Sequence, residues 1–145
     1  MDNDNSALKL GLDTAFIDSD IKSENQFRPE FLYNDYKNGR KVISSLEEEL
    51  LDCDSFFFSV AFITRGGLTP LLQTLQETEK RGIPGKILTT DYLSFTEPDA
   101  LRTLNSLSNI EVRMFAVDNV LEDFHTKGYI FKRVQYTASF LEAQT

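Results

Sequence analysis

The chain has 145 residues, 41% of them hydrophobic and 26% charged, with a formal net charge of −8. These are globular rather than disordered proportions, enough for one domain with a real core, and the acidic balance argues against a nucleic-acid coat while leaving room for a locally positive cleft. No apolar run reaches membrane-spanning length, and the start Met-Asp-Asn-Asp-Asn does not read as a signal peptide, so no membrane association is expected. One cysteine, Cys53, excludes an intramolecular disulfide and fits a reducing cytoplasm. One histidine and one cysteine cannot furnish a zinc-type cluster, so neither metal nor cofactor is expected.

Taken in order, residues 1–25 read as a mobile acidic arm, with apolar residues scattered without a period. Asp2, Asp4, Asp13, Asp18, Asp20 and Glu24 against Lys9 and Lys22 put half of the net charge there. The domain proper is expected over 26–145. Gln26 to Arg40 holds Phe27, Phe31, Leu32, Tyr33 and Tyr36 and closes on an Asn38-Gly39 turn. Val42, Ile43, Leu46, Leu50 and Leu51 fall at helical spacing up to Asp52, with Glu47 to Glu49 on the wet face. Ser55 to Thr64 is a nearly continuous apolar run, read as a strand covered on both faces, with Cys53 before it as a buried structural thiol.

Arg65-Gly66-Gly67 reads as a turn and Leu68 to Lys80 as a helix, stopped by Gly82, Pro84 and Gly85. Lys86 to Thr90 is a second buried strand, Pro98 to Leu107 a helix with proline in its first turn, and Ile110 to Ala116 an alternating strand. Asn119 to Asp123 is a loop and Tyr129 to Phe131 the last clear strand. Helices alternating with strands argue for a layered α/β sheet, in which functional groups gather at strand ends.

Several groups suit chemistry. His125 is the only histidine, and Lys127 follows two residues on. In an extended strand both side chains point the same way, about 7 Å apart along the chain. An imidazole and an ammonium so placed can attack and grip a phosphate. Lysine is common enough that this spacing arises by chance about once in eighteen trials, so a solvated histidine is the bland alternative.

Arg65, with Gly66 and Gly67, offers backbone amides at a helix start that could cradle an anion; a plain strand-to-helix turn is the other reading. Thr90 and Asp91, at the end of a buried strand, could position a substrate or orient His125, or Asp91 could simply cap a turn. Asp118, Glu122 and Asp123 flank the histidine, and Lys127, Lys132 and Arg133 make its downstream side locally basic. There is no G-x-x-x-x-G-K-[ST] and no G-x-G-x-x-G, so neither a P-loop motor nor a dinucleotide site is encoded here.

His125-x-Lys127 at the head of a strand in an α/β chain resembles the HKD motif of the phospholipase D superfamily. Four longer stretches, at 31–35, 54–64, 85–92 and 124–131, are similar to the phospholipase D-like domain found at the front of bacterial DEAD/DEAH-box helicases of restriction or repair type. The resemblance covers roughly residues 26–133 and implies a three-layer α/β sandwich with a mixed sheet. It implies metal-independent hydrolysis of a DNA phosphodiester through a phosphohistidine at His125, with Lys127 clamping the phosphoryl oxygens. Thr90, Asp91 and Arg65 are then the substrate-binding candidates. A second histidine would come from a partner copy, giving a homodimer; the helicase motor region is absent from this chain.

Two departures qualify the mapping. The family's motif aspartate is replaced by Lys132, and no G-S-x-N segment follows. With one choice of synonymous codons, the end from Tyr136 to Thr145 would read in another frame as a strand followed by G-S-S-N, which leads us to expect a C-terminally truncated, crippled domain. The alternative is a non-catalytic module that binds DNA or dimerises.

Overall fold

The computed structural model describes residues 32–35, 37–39, 41–116, 127–134 and 137–141. Two compact units are distinguished, Met1–Arg40 and Lys41–Thr145; the sequence reading draws its line between 25 and 26. In the first unit the expected turn is present. The Asp35 carboxylate accepts from Lys37 N at 3.1 Å and Asn38 N at 3.2 Å, and Gly39 takes φ +70°. That is an Asx turn closed by the residue without a Cβ.

The second unit carries helix α1 (Val42–Asp52), strand β1 (Ser55–Ser59), helix α2 (Arg65–Lys80), strand β2 (Gly85–Thr90), a short 3-10 turn (Tyr92–Ser94), helix α3 (Pro98–Asn105), and strands β3 (Ile110–Phe115), β4 (Gly128–Lys132) and β5 (Thr137–Leu141). The five strands form one sheet in the order β3-β2-β1-β4-β5. β1, β2 and β3 are parallel, while β4 runs antiparallel to β1 and β5 antiparallel to β4. The chain is therefore an α/β protein with a mixed sheet.

Burial alternates along β1, with Phe56 and Phe58 inward. Register sets Phe56 opposite Phe131 and beside Gly85, and Phe58 opposite Tyr129 and beside Ile87. These residues join Leu46 and Leu50 of α1, Leu68 and Leu75 of α2, and Ala100 and Leu104 of α3 in one core cluster. All three helices thus pack against the same face of the sheet; for α2 and α3 this is what two successive crossovers of one hand, stepping the same way along the sheet, produce. Of the three layers expected, the described residues form two.

Two boundaries differ from the sequence reading. The apolar run at 55–64 is a strand only to Ser59. Beyond it Val60 N still donates to Leu88 O, but the chain turns over the sheet end and Ala61 and Ile63 are buried as irregular backbone. Arg65-Gly66-Gly67 is not a separate turn but the first turn of α2, because the Thr64 hydroxyl caps it by accepting from Gly67 N at 3.1 Å. β5 is an added strand, paired residue for residue with β4.

Candidate functional site

The carboxyl ends of β1, β2 and β3 and the amino end of β4 meet at one edge of the sheet, since Ser59 pairs with both Leu88 and Gly128. In parallel α/β sheets this is the edge where loops leave room for ligands. Lys127 stands there, directly before β4 and half-buried. Its Nζ lies 5.6 Å from the centroid of the Phe62 ring, a cation–π distance. Phe62 meets Phe95 edge-on at 5.8 Å, and Phe95 meets Tyr92 at 6.5 Å. An ammonium therefore heads a row of three aromatic rings. Beneath it a cavity of about 210 Å³ is lined by Phe58, Phe62, Leu68, Leu71, Tyr129 and Lys127. His125, Asp118, Glu122 and Asp123 lie outside the described residues.

Thr90 is at the same edge but wholly buried. Its hydroxyl donates to Ala61 O at 2.7 Å and accepts from Tyr92 N at 3.1 Å. A hydroxyl has one proton to give, so Thr90 ties β2 to the segment after β1 and starts the 3-10 turn. Asp91 follows it; its side chain does not cap that turn, and its carbonyl accepts from Ser94 N at 3.0 Å. The turn that follows is strained: Leu93 and Ser94 both take positive φ, 48° and 56°. Thr96 anchors its far end, donating from Oγ1 to Thr90 O at 2.8 Å. Phe95 is held in the aromatic row by that anchored, strained turn.

Arg65 sits at the start of α2 with its guanidinium exposed, 4.0 Å from Asp99. The helix end already has an anion. Arg65 N donates to the Glu97 carboxylate at 2.9 Å, and Gly67 N to the Thr64 hydroxyl. A carboxylate suits the positive end of a helix, so the anion cradle suggested by Arg65-Gly66-Gly67 is filled from within the chain.

The downstream basic run divides. Lys132 is exposed, but Arg133 is turned inward, with its Nη2 2.7 Å from the Glu49 carboxylate and its Nε 2.9 Å from the Asp52 carboxylate of α1. Glu49, expected on the wet face, is therefore half-buried in an ion pair. Cys53 is a structural thiol. Its Sγ donates to Leu50 O at 3.4 Å, and burial pushes its pKa above the ordinary 9.0. The aromatic row is the feature that sequence reasoning missed: Phe62, Tyr92 and Phe95 lie on two different loops, and only the fold joins them.

Among the described residues no three His, Cys, Asp or Glu side chains gather in a way that could hold a metal ion, and no helix is long and apolar enough to cross a membrane. No protein-family model matches the chain, and no curated protein matches it. One similar solved structure is that of TrmBL2, an archaeal chromatin protein with a novel mode of DNA binding. Its TM-score is 0.42 and its identity 16%, over 90% of this chain and 45% of that one. The chain thus spans less than half of that structure, and a likeness of this size fixes neither fold nor function.

Proposed function

We propose that this chain is a phospholipase D-type domain that engages a phosphodiester of DNA at the carboxyl edge of its sheet. The observation that carries the reading is Lys127: an ammonium at that edge, two residues after the only histidine, heading a row of aromatic rings. Lysine compensates charge on phosphoryl oxygens, and aromatic rings are platforms for bases. His125 is the proposed nucleophile. Its ring nitrogen forms a bond to phosphorus as the ester P–O bond breaks, and the leaving oxygen takes a proton from a second histidine. With one histidine per chain, that acid must come from a second copy, so the active species is a homodimer. A helicase motor on a separate stretch of polypeptide, in a cytoplasmic restriction or repair setting, is the context that goes with this reading.

A second reading has its own support. The Thr90 hydroxyl and the Arg65 amide are both engaged internally. A site whose described residues offer one cation, with these other donors engaged, would bind DNA without cleaving it. Cleavage of a labelled oligonucleotide in EDTA separates the two. The catalytic reading expects metal-independent turnover by a dimer, a trapped phosphohistidine, no turnover with His125→Ala, and about a 10²–10³-fold loss with Lys127→Ala. Cleavage that survives His125→Ala rejects it, and salt-dependent affinity without turnover selects the binding module.

A further inference from the structure

The face of the sheet away from the helices carries its own pattern. Register sets Glu111, Lys86, Phe57 and Ile130 in one row across β3, β2, β1 and β4. Lys132, opposite Ser55, begins the next row on that face, and Arg113 lies on β3 two residues beyond Glu111. An open groove of about 500 Å³ lies here, and its lining includes Phe57 and Ile130 together with Lys86 and Lys132, which stand on the two strands flanking β1. Ile130 is 41% exposed, which is unusual for the middle of a sheet.

Charge decides what could lie in it. Among the described residues the cations of this face are Lys86, Arg113 and Lys132 and the one acid is Glu111, a local excess of two positive charges on a chain of net −8. Glu111 is shared, 2.6 Å from Arg113 and 4.0 Å from Lys86, while Lys132 has no ion pair among the described residues. A second copy of the same face would set cations against cations. The fitting occupant is a flexible polyanion that carries flat apolar groups. Duplex DNA supplies the charge but keeps its bases stacked inside; a single strand supplies both.

We propose that this sheet face binds single-stranded nucleic acid, with a base laid on the Phe57 ring and the neighbouring phosphates on Lys86 and Lys132. The site lies on the face opposite the Lys127 cavity and does not depend on the chemistry assigned there. The test is fluorescence anisotropy of a labelled oligothymidylate of ~10 nucleotides titrated with the full chain. Lys86→Glu with Lys132→Glu is expected to weaken binding at least about tenfold and to lower the salt slope by about 1.4, the value for two single-strand phosphate contacts. Phe57→Leu, which keeps the face apolar, is expected to weaken it roughly tenfold and to erase the preference for oligothymidylate over an abasic strand of equal length.

Arg102→Glu, an exposed reversal on α3 that changes the net charge half as much as the double variant, controls for reversal away from this face and is expected to shift affinity less than about twofold. Far-UV circular dichroism checks that each variant is folded, and Lys→Gln at both lysines repeats the measurement without adding acid. Affinity that ignores the open-face changes overturns the proposal while leaving the Lys127 reading standing. An equal loss with Arg102→Glu, equal binding of an acidic peptide, or no binding at all also overturns it.

Discussion

Gly85 shows how much one absent methyl group decides. A Cβ there would stand 2.1 Å from Cζ and 2.4 Å from Cε2 of Phe56. The Phe56 ring cannot easily yield, because it is buried against Phe58 at a centroid distance of 5.1 Å. The glycine is thus required by packing rather than by its backbone angles. Gly85→Ala is expected to destabilise the fold by about 1–3 kcal/mol, the usual cost of overpacking. Urea denaturation checks it: an unchanged midpoint would mean that Phe56 moves aside freely. Arg133 teaches the complementary lesson. In the sequence it extends a basic run, but its partners Glu49 and Asp52 lie some eighty positions upstream, and no local pattern announces a pairing that only the sheet creates.

At the scale of elements, the end of α2 is fastened to the start of β3 by Glu79. Its Oε1 accepts from Ser108 N at 2.6 Å and Ser108 Oγ at 2.8 Å. These two bonds hold the carboxyl below its ordinary 4.5, and the group is fully exposed. A depressed folded-state pKa stabilises only while the carboxylate is charged. Its contribution is therefore complete above the unfolded-state pKa and is lost as pH falls through the folded-state value. Glu79→Gln is expected to lower stability near neutral pH and to converge with the parent chain in acid. Denaturation midpoints across that range test this, and a constant gap between the two proteins would refute it.

Element boundaries follow the same division between local and distant causes. Helices α1 and α3 and strands β2 and β3 are legible because their periods and proline or glycine stops are local. The run at 55–64 reads too long as a strand because an apolar composition does not distinguish a central strand from buried irregular chain. β5 escapes notice because Thr137 to Leu141 has no marked alternation and acquires its meaning only beside β4.

For the whole molecule, Cys53 is a built-in reporter. It is 3% exposed at the end of α1, and its raised pKa keeps the reactive thiolate scarce at neutral pH. Labelling by a thiol reagent is expected to be negligible in the native state and to rise with the same denaturant midpoint as the loss of circular dichroism. Fast native labelling would instead reveal local opening of the end of α1. The candidate site was half legible on this scale. Lys127 reaches the expected edge of an α/β sheet; Thr90 and Arg65 reach it too, but as parts of the frame. Sequence names the chemical groups, but which of them are left over for a ligand depends on bonds that the tertiary structure makes.

The pairing of Phe131 with Phe56 has one more consequence. Phe131 is completely enclosed, so a slip of β4 by a single position would drive Lys132 into the hydrocarbon interior. Lys127 shares Phe131's parity along the strand, and the same slip would send its ammonium out through the wrong side of the sheet. An aromatic side chain with no chemical duty thereby acts as the bolt that aims the lysine four residues before it.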